Sequence, residues 1–393
     1  MTAIGKSENT FIYAKTETAL GIATYPAGTD AVLAINDPSF VQEINFYPDE
    51  QKRGTLSELP PVIGRRQAGT FSFETYIKPS GALGTEPDEN VLLTNAFGVK
   101  TATPATSVVY SLPAITADVA GMTIICKKDL ETTFNFGCIV NEIILPVEAG
   151  QVAKATFNGV FLRQKKAGYT YVEGDIHAAE TNIPVDDCRG FETEAKVKFG
   201  AENNTDAGYT ITAVSYTSGG QDYITITPGL AGGISDNVVC DGHVPAASVS
   251  GYPVASEFGY AKEANQGDST VNSFIISATV TLNNNIKILD TEKNGSNYPT
   301  RAVRAGKREV TITIDKVFEE GDTKYGYLME AQTAQHIELN VGNTAAYRFE
   351  IDLPRVNWES AMNPAGDEEF MLSRTGKAYA STSFNDEITL NFA

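Results

Sequence analysis

Residues 41–78 read VQEINFYPDEQKRGTLSELPPVIGRRQAGTFSFETYIK, and residues 278–318 read ATVTLNNNIKILDTEKNGSNYPTRAVRAGKREVTITIDKVF. Each begins with an alternating strand and passes through a long polar stretch that ends in a proline and a Gly/Arg/Lys cluster. Each then returns to a second alternating strand. A second pair follows in the same order: EIILPVEAGQVAKATFNGVFLR (142–163) and HIELNVGNTAAYRFEIDLPR (336–355) both read as strand, short glycine turn, strand. The likeness is one of pattern and needs small gaps. A sheet unit repeated in one chain points to a building block.

Period-two alternation sets the fold class. In GTFSFETYIK, Phe71, Phe73 and Ile77 share one face, and Ser72, Glu74, Tyr76 and Lys78 the other. In REVTITIDKVF, Val310, Ile312 and Ile314 oppose Thr311, Thr313 and Asp315. In AAYRFEIDLP, Tyr347, Phe349, Ile351 and Leu353 oppose Arg348, Glu350 and Asp352. Such strands belong to antiparallel sheets, apolar on one side and wet on the other. Helical signals are few. NVLLTNAFG (90–98) has Asp88 or Asn90 as a candidate cap and Gly98 as its end, and GYLMEAQTA (326–334) holds the equivalent place in the second copy.

Residues 171–250 break the repeat with shorter strands and tight turns, SGGQD among them, and predict a small β-barrel or sandwich set between the copies. The expected division is a first β unit with an N-terminal arm at 1–170, an acidic insert at 171–250, and a second β unit with a C-terminal strand at 251–393. Over 171–245 twelve acidic residues face three basic ones, about half of the chain's net charge of −19, so the insert is expected to face solvent. Pro/Gly-rich stretches at 25–30, 78–88 and 244–253 mark joins. The ends, 1–20 and 356–393, show little apolar patterning beyond EITLNFA.

A chain of 393 residues suits two or three domains, and its 42% hydrophobic content allows a sizeable core. The charge repels the phosphate backbone, which excludes a DNA-reading role, and serves solubility. There is no apolar run long enough to cross a membrane as a helix. The N-terminus lacks the features of a signal peptide, so the chain is expected to remain in the cytoplasm where it is made. Cys126, Cys138, Cys188 and Cys240 lack CxxC spacing. Four buried free thiols are expected, with a Cys188–Cys240 disulfide as the alternative.

Residues able to carry chemistry are sparse. His177, His243 and His336 form no HExxH and no helical pair. His177 lies near Asp175, Asp186 and Asp187, but clustered acids on an acidic surface read first as solvated side chains. There is no GxSxG elbow and no P-loop, and GLAGGI (229–234) reads as a turn between strands. No carboxylate pair stands out for glycosidase work. Neither a catalytic residue, a cofactor site nor a metal site is assigned. GRR (64–66) and RAGKR (304–308) precede equivalent strands; they read as solvated loop ends or as basic contacts for an acidic neighbouring subunit.

The segments GRRQAGTFSFETYI, FGCIVNEIILPVEAGQVAKATFNGVF and PAGDEEFMLSRTGKAYASTSFNDEITLNF, in that order, resemble the tail tube (major tail) proteins of long-tailed bacteriophages. The resemblance covers roughly 38–165 and 273–393. It implies mainly β units of sandwich or barrel type, each with a short helix, and a virion structural protein that is not an enzyme. It also implies self-assembly into stacked rings that form the hollow tube for genome ejection. Two fused units per chain suggest three chains per ring with pseudo-sixfold symmetry, ahead of six chains. Partners implied are further copies of the chain, the tape measure and terminator proteins, and DNA that passes without specific binding. No membrane is implied.

On this reading the wet strand faces line the lumen, with Ser72, Glu74, Thr156, Asn158, Thr311, Thr313, Glu350 and Asp352 as candidates. The loops 48–66 and 285–305 reach a neighbouring ring, through Asp49, Glu50, Arg65, Arg66, Lys293, Arg301 and Arg304. A β-rich virion adhesin or carbohydrate-binding module, with 171–250 as its contact domain, is the alternative. A single tryptophan, Trp358, makes it the weaker one.

Overall fold

The computed structural model describes residues 10–48, 50, 60–113, 120–265, 271–290, 295–318, 324–361, 371–381 and 385–393. The chain opens with β1 (Thr10–Thr16), β2 (Ala31–Val32) and β3 (Ser39–Val41). The paired strands β4 (Ile44–Tyr47) and β5 (Val62–Arg66) then leave the sheet as an arm, and β6 (Gly69–Tyr76) returns to it. Helix α1 (Asn90–Phe97) follows, then β7 (Val99–Thr103), β8 (Ser107–Ser111), β9 (Met122–Lys128), β10 (Glu131–Glu148), β11 (Lys154–Phe161) and β12 (Arg163–Ala167). A middle group comprises β13 (Tyr169–Tyr171), β14 (Asn182–Val185), β15 (Lys196–Phe199), β16 (Tyr209–Ser215), β17 (Asp222–Thr227) and β18 (Val239–Gly242).

The final group begins with β19 (Tyr260–Asn265), β20 (Val271–Asn272) and β21 (Ile275–Asn283). A second arm, β22 (Ile286–Leu289) paired with β23 (Arg301–Arg304), leads to β24 (Glu309–Val317) and helix α2 (Lys324–Glu330). The chain ends in β25 (Gln335–Val341), β26 (Phe349–Ala361), β27 (Met371–Ala378) and β28 (Thr389–Phe392). The fold is mainly β, as the alternation predicts. The stretches 48–66 and 285–305 are not plain loops, since their ends are the strands of the two arms.

The pairings repeat. Antiparallel neighbours run β1-β9-β10-β11-β6-β3 in the first group and β19-β25-β26-β27-β24-β21 in the last. In both, the last strand of the group, β12 or β28, lies against the N-terminal half of the long strand, β10 or β26. The long strands share their irregularities. The β9–β10 register slips between Asn135 and Cys138, and the β25–β26 register between Leu353 and Val356. Against β11 and β27 it slips between Val140 and Glu142, and between Trp358 and Ser360. One constant spacing carries Asn135, Cys138, Val140 and Glu142 onto Leu353, Val356, Trp358 and Ser360.

A β-bulge bends its strand, so each long strand can serve two sheets. A glycine stands opposite each second bulge. A Cβ on Gly159 would meet the Phe71 ring and the Ile139 carbonyl oxygen at 2.3 Å, and one on Gly376 the Trp358 ring at 2.8 Å. The sequence match of 142–163 with 336–355 is therefore one hairpin out of step. By pairing order, β10–β11 answers to β26–β27.

The C-terminal half of β10 also pairs with β21, from Glu142 opposite Asn283 to Glu148 opposite Ser277. That contact joins the two groups into one eight-stranded sheet, β3-β6-β11-β10-β21-β24-β27-β26. One face of it is buried in a core that takes Phe71, Phe73, Phe157, Val280, Ile312 and Ile314 from this sheet and Ile12, Ile124, Ile337 and Leu339 from the strands beyond. Helix α1 adds Leu92, Leu93, Ala96 and Phe97, and ends where Gly98 takes a φ of 101°. Neither Asp88 nor Asn90 caps it. Glu89 holds the N-cap position without a side-chain cap bond, and Asp88 is engaged by Lys78 at 3.0 Å. Lys78 itself is buried, contrary to its place on the wet side of the alternation.

The middle group forms a sheet in the order β13-β18-β15-β16-β17-β14. Its ends meet where the Glu173 N–H donates to Pro184 O at 3.1 Å and the Asp186 N–H to Tyr171 O at 3.0 Å, so it curls into a small barrel. Its core is shared with Tyr13, Ile125, Phe134 and Phe136 of the first group, which anchors it there. Cys188 and Cys240 are both free and buried within this core, which removes the disulfide alternative, and Cys126 and Cys138 are free and buried as well.

Candidate functional site

The exposed face of the eight-stranded sheet carries six of the eight candidate wall residues. Register places Glu74, Thr156, Ile144, Thr281, Thr311 and Lys377 in one row across six strands. A parallel row holds Ser72, Asn158, Glu142, Asn283 and Glu309. Residues opposite each other in antiparallel strands share a face, so both groups contribute to one surface. Ser72 donates to Asn158 Oδ1 at 2.7 Å, and the Asn158 amide donates to Glu142 at 2.9 Å. Thr313 lies opposite Thr279 and Thr375.

The electrostatics of this face follow from its composition. Lys154 is held by Glu74 at 3.0 Å, and Lys377 by Glu309 at 2.5 Å. Ser277 donates to Asp315 at 2.9 Å. The lysines thus neutralise neighbouring carboxylates, and the remainder is mostly hydroxyl, amide and carboxylate, with Ile144 and Pro146 as apolar members. Phosphate recognition needs cationic donors free to reach an anion. This surface offers little of that chemistry.

Glu350 and Asp352 do not join the other six. They sit on the N-terminal half of β26, before its bulges, in the sheet formed with β25, β19, β28 and β8. There Asp352 accepts a hydrogen bond from His336 Nε2 at 2.5 Å. Burial raises the Asp352 pKa, while the histidine pulls the other way. Glu350 is reached by the Tyr260 hydroxyl at 3.3 Å. Their alternation is right but their sheet is different, because the bulges redirect the strand.

Of the candidate arm residues, Asp49 and Lys293 lie outside the described residues. Glu50 and Arg301 are exposed, and Arg65, Arg66 and Arg304 are half-buried. The Arg66 N–H donates to Asn297 O at 3.0 Å, and its guanidinium lies 5.8 Å from the centre of the Tyr298 ring. Arg304 donates to Asn284 Oδ1 at 3.1 Å. Sequence reasoning passed over Glu142, Lys154, Thr279, Thr281, Thr375 and Lys377 on this face. The alternation in ATVTLNNN offered Thr279 and Thr281; nothing local marks Glu142, because β10 is apolar on both sides over much of its length.

Among the described residues no three His, Cys, Asp or Glu side chains are grouped to hold a metal ion, and no helix is long and apolar enough to cross a membrane. A family model described as phage tail tube protein matches residues 7–392. The chain belongs to the phage tail tube protein family. Membership makes it a structural protein of the phage tail, located in the virion. The match runs through the middle barrel as well as the repeated groups, so this tail tube protein carries the barrel inside its family region. No curated protein matches the chain.

Proposed function

We propose that the chain assembles into closed rings that stack into the hollow tail tube, and that genomic DNA leaves through the lumen. One observation carries the reading: an eight-stranded antiparallel sheet holds two four-strand successions in matching order, and its outermost segments, β3 and the end of β26 beyond Val356, have no second strand partner among the described residues. An unpaired strand edge templates further pairing, and closing the sheet into a ring removes it. The wall is then the polar face that carries Ser72, Glu74, Thr156, Asn158, Thr311 and Thr313. Glu350 and Asp352 leave that set with the second sheet. DNA slides along a mostly polar face whose described lysines, Lys154 and Lys377, are already paired with carboxylates.

Two units per chain favour three chains per ring, with pseudo-sixfold symmetry. Tape measure and terminator proteins are the expected neighbours in the virion, and synthesis takes place in the host cytoplasm. Contacts between rings are assigned to the ends of the two arms. Negative-stain electron microscopy of the purified protein tests the proposal, with rings or tubes as the expected result. Discrete particles that bind glycans or cells would overturn it in favour of an adhesin. Cysteines placed at Ser72 and Thr311 should be shielded from a bulky thiol reagent in long tubes and open to a small one.

A further inference from the structure

The second arm shows where the first arm belongs. Within the chain β22–β23 lies on the first group. The Ile286 N–H donates to Asn141 Oδ1 at 2.6 Å, and the Asn284 side chain donates to Ala96 O at 2.8 Å. Ile286 and Ile288 are 8% and 3% exposed. The two arms share a register, with Phe46 opposite Ile63 and Tyr47 opposite Val62, as Ile286 stands opposite Arg304 and Lys287 opposite Val303. Yet Phe46, Tyr47, Val62 and Ile63 are 59%, 57%, 65% and 70% exposed. Phe46 and Ile63 share one face of the arm and Tyr47 and Val62 the other, so both faces present large apolar side chains to solvent, which marks an interaction surface.

The strands beside the arms tell the same story. β21 lies between β24 and β10, whereas its counterpart β3 has only β6 among the described residues. The C-terminal half of β10 lies between β11 and β21, whereas that of β26 has only β27. Asn141, which receives the second arm, is the extra residue of the β10 bulge. The extra residue of the matching β26 bulge is Glu359, which is exposed.

We propose that the first arm of one chain docks on the last group of a second copy, across the β26 bulge at Trp358–Ser360, as the second arm docks on the first group of its own chain. A Glu359 carboxylate oxygen accepts the Phe46 N–H in the role that Asn141 Oδ1 plays for Ile286. By the same register Glu43, just after β3, comes opposite Ser360, as Asn283 stands opposite Glu142. The occupant is another copy of this chain because the site it fills repeats one already filled intramolecularly. The proposal rests on the ring reading and specifies its seam.

Cysteines at Phe46 and Glu359 test it, since both positions are exposed in the single chain and the four native thiols are buried. Rings of the double variant, treated with a short bis-maleimide, should give covalent dimers and trimers. A mixture of F46C chains with E359C chains should give the mixed dimer and neither homodimer. Rings seen by electron microscopy that yield no inter-chain cross-link would overturn the seam and leave the tube reading standing. A native protein that forms no rings would overturn both. The native chain supplies a second measurement. Hydrogen exchange in 44–47 and 62–66 should slow at least tenfold on assembly, and unchanged exchange in visible rings would overturn the proposal.

Discussion

Glu89 offers a test of how the first group is held together. Its side chain is fully buried at the start of α1, with Oε2 accepting the Lys78 N–H at 3.3 Å and the Lys78 ammonium 3.6 Å from Oε1. Burial pushes the pKa from 4.5 up to about 7, against the opposing pull of Lys78. Below about 4.5 the carboxyl is protonated in both folded and unfolded chains and costs nothing. Between there and about 7 the folded chain keeps a proton that the unfolded chain has released, so stability falls as pH rises. Above about 7 the whole penalty is present, about 3 kcal/mol for a shift of roughly 2.5 pH units.

Glu89→Gln removes the titration and keeps the shape, and Lys78 stays paired with Asp88 at 3.0 Å. Hydrogen exchange of the α1 amides, compared between variant and wild type at each pH, cancels the intrinsic pH dependence of exchange. The ratio of protection, variant over wild type, should climb roughly a hundredfold between pH 4.5 and 8. A ratio that stays flat, or that falls with pH, would refute the burial argument.

Two further substitutions probe the repeat. Gly159→Ala drives a methyl into the Phe71 ring and the Ile139 carbonyl, both at 2.3 Å, and should cost about 1–3 kcal/mol or more, read as a lower melting temperature. Glu263→Ala removes the partner that Arg374 holds at 2.8 Å in the core, and should cost about 3–5 kcal/mol in urea unfolding followed by Trp358 fluorescence. A loss below about 1 kcal/mol would mean that the guanidinium is satisfied elsewhere.

Strand content, the two short helices and the strands of the middle group were legible because each rests on a local rule: period two, a helix that ends on glycine, turn residues between alternating runs; the two arms read as loops, because their strands pair only with each other. The partner of each strand was not legible. The sequence likeness between 142–163 and 336–355 joined the wrong hairpins, because strand-turn-strand has the same local form wherever it occurs. Only the bulges, which depend on hydrogen bonding between strands, fix the correspondence of β10 with β26. The last stretch of chain looked unpatterned because β26 changes sheets midway and breaks its own alternation. The same change of sheet separates Glu350 and Asp352 from the exposed face of the eight-stranded sheet. Arg374 hid for a different reason. It occupies a core position in β27 beside Trp358, where its guanidinium lies 4.2 Å from the ring centre, and an arginine in a strand reads as exposed until its buried partner is known.

Where the two groups differ points to how the chain meets its copies. The hairpin β7–β8 has no counterpart after α2 among the described residues, and β8 covers the edge of β28 within the chain. That edge is closed within the single chain. The segments left open among the described residues, β3 with its arm at one end of the eight-stranded sheet and β26 beyond Val356 at the other, are dissimilar. Contacts between dissimilar surfaces are head-to-tail, and they close into a ring only if the rotation per step divides a full turn. In the proposed seam the step between chains copies the step between the groups inside one chain, since β3 meets β26 as β21 meets β10. On that proposal the rotation relating the two groups sets the size of the ring. One sixth of a turn would close it on three chains and one twelfth on six, so the seam proposal ties the choice between trimer and hexamer to the β10–β21 junction.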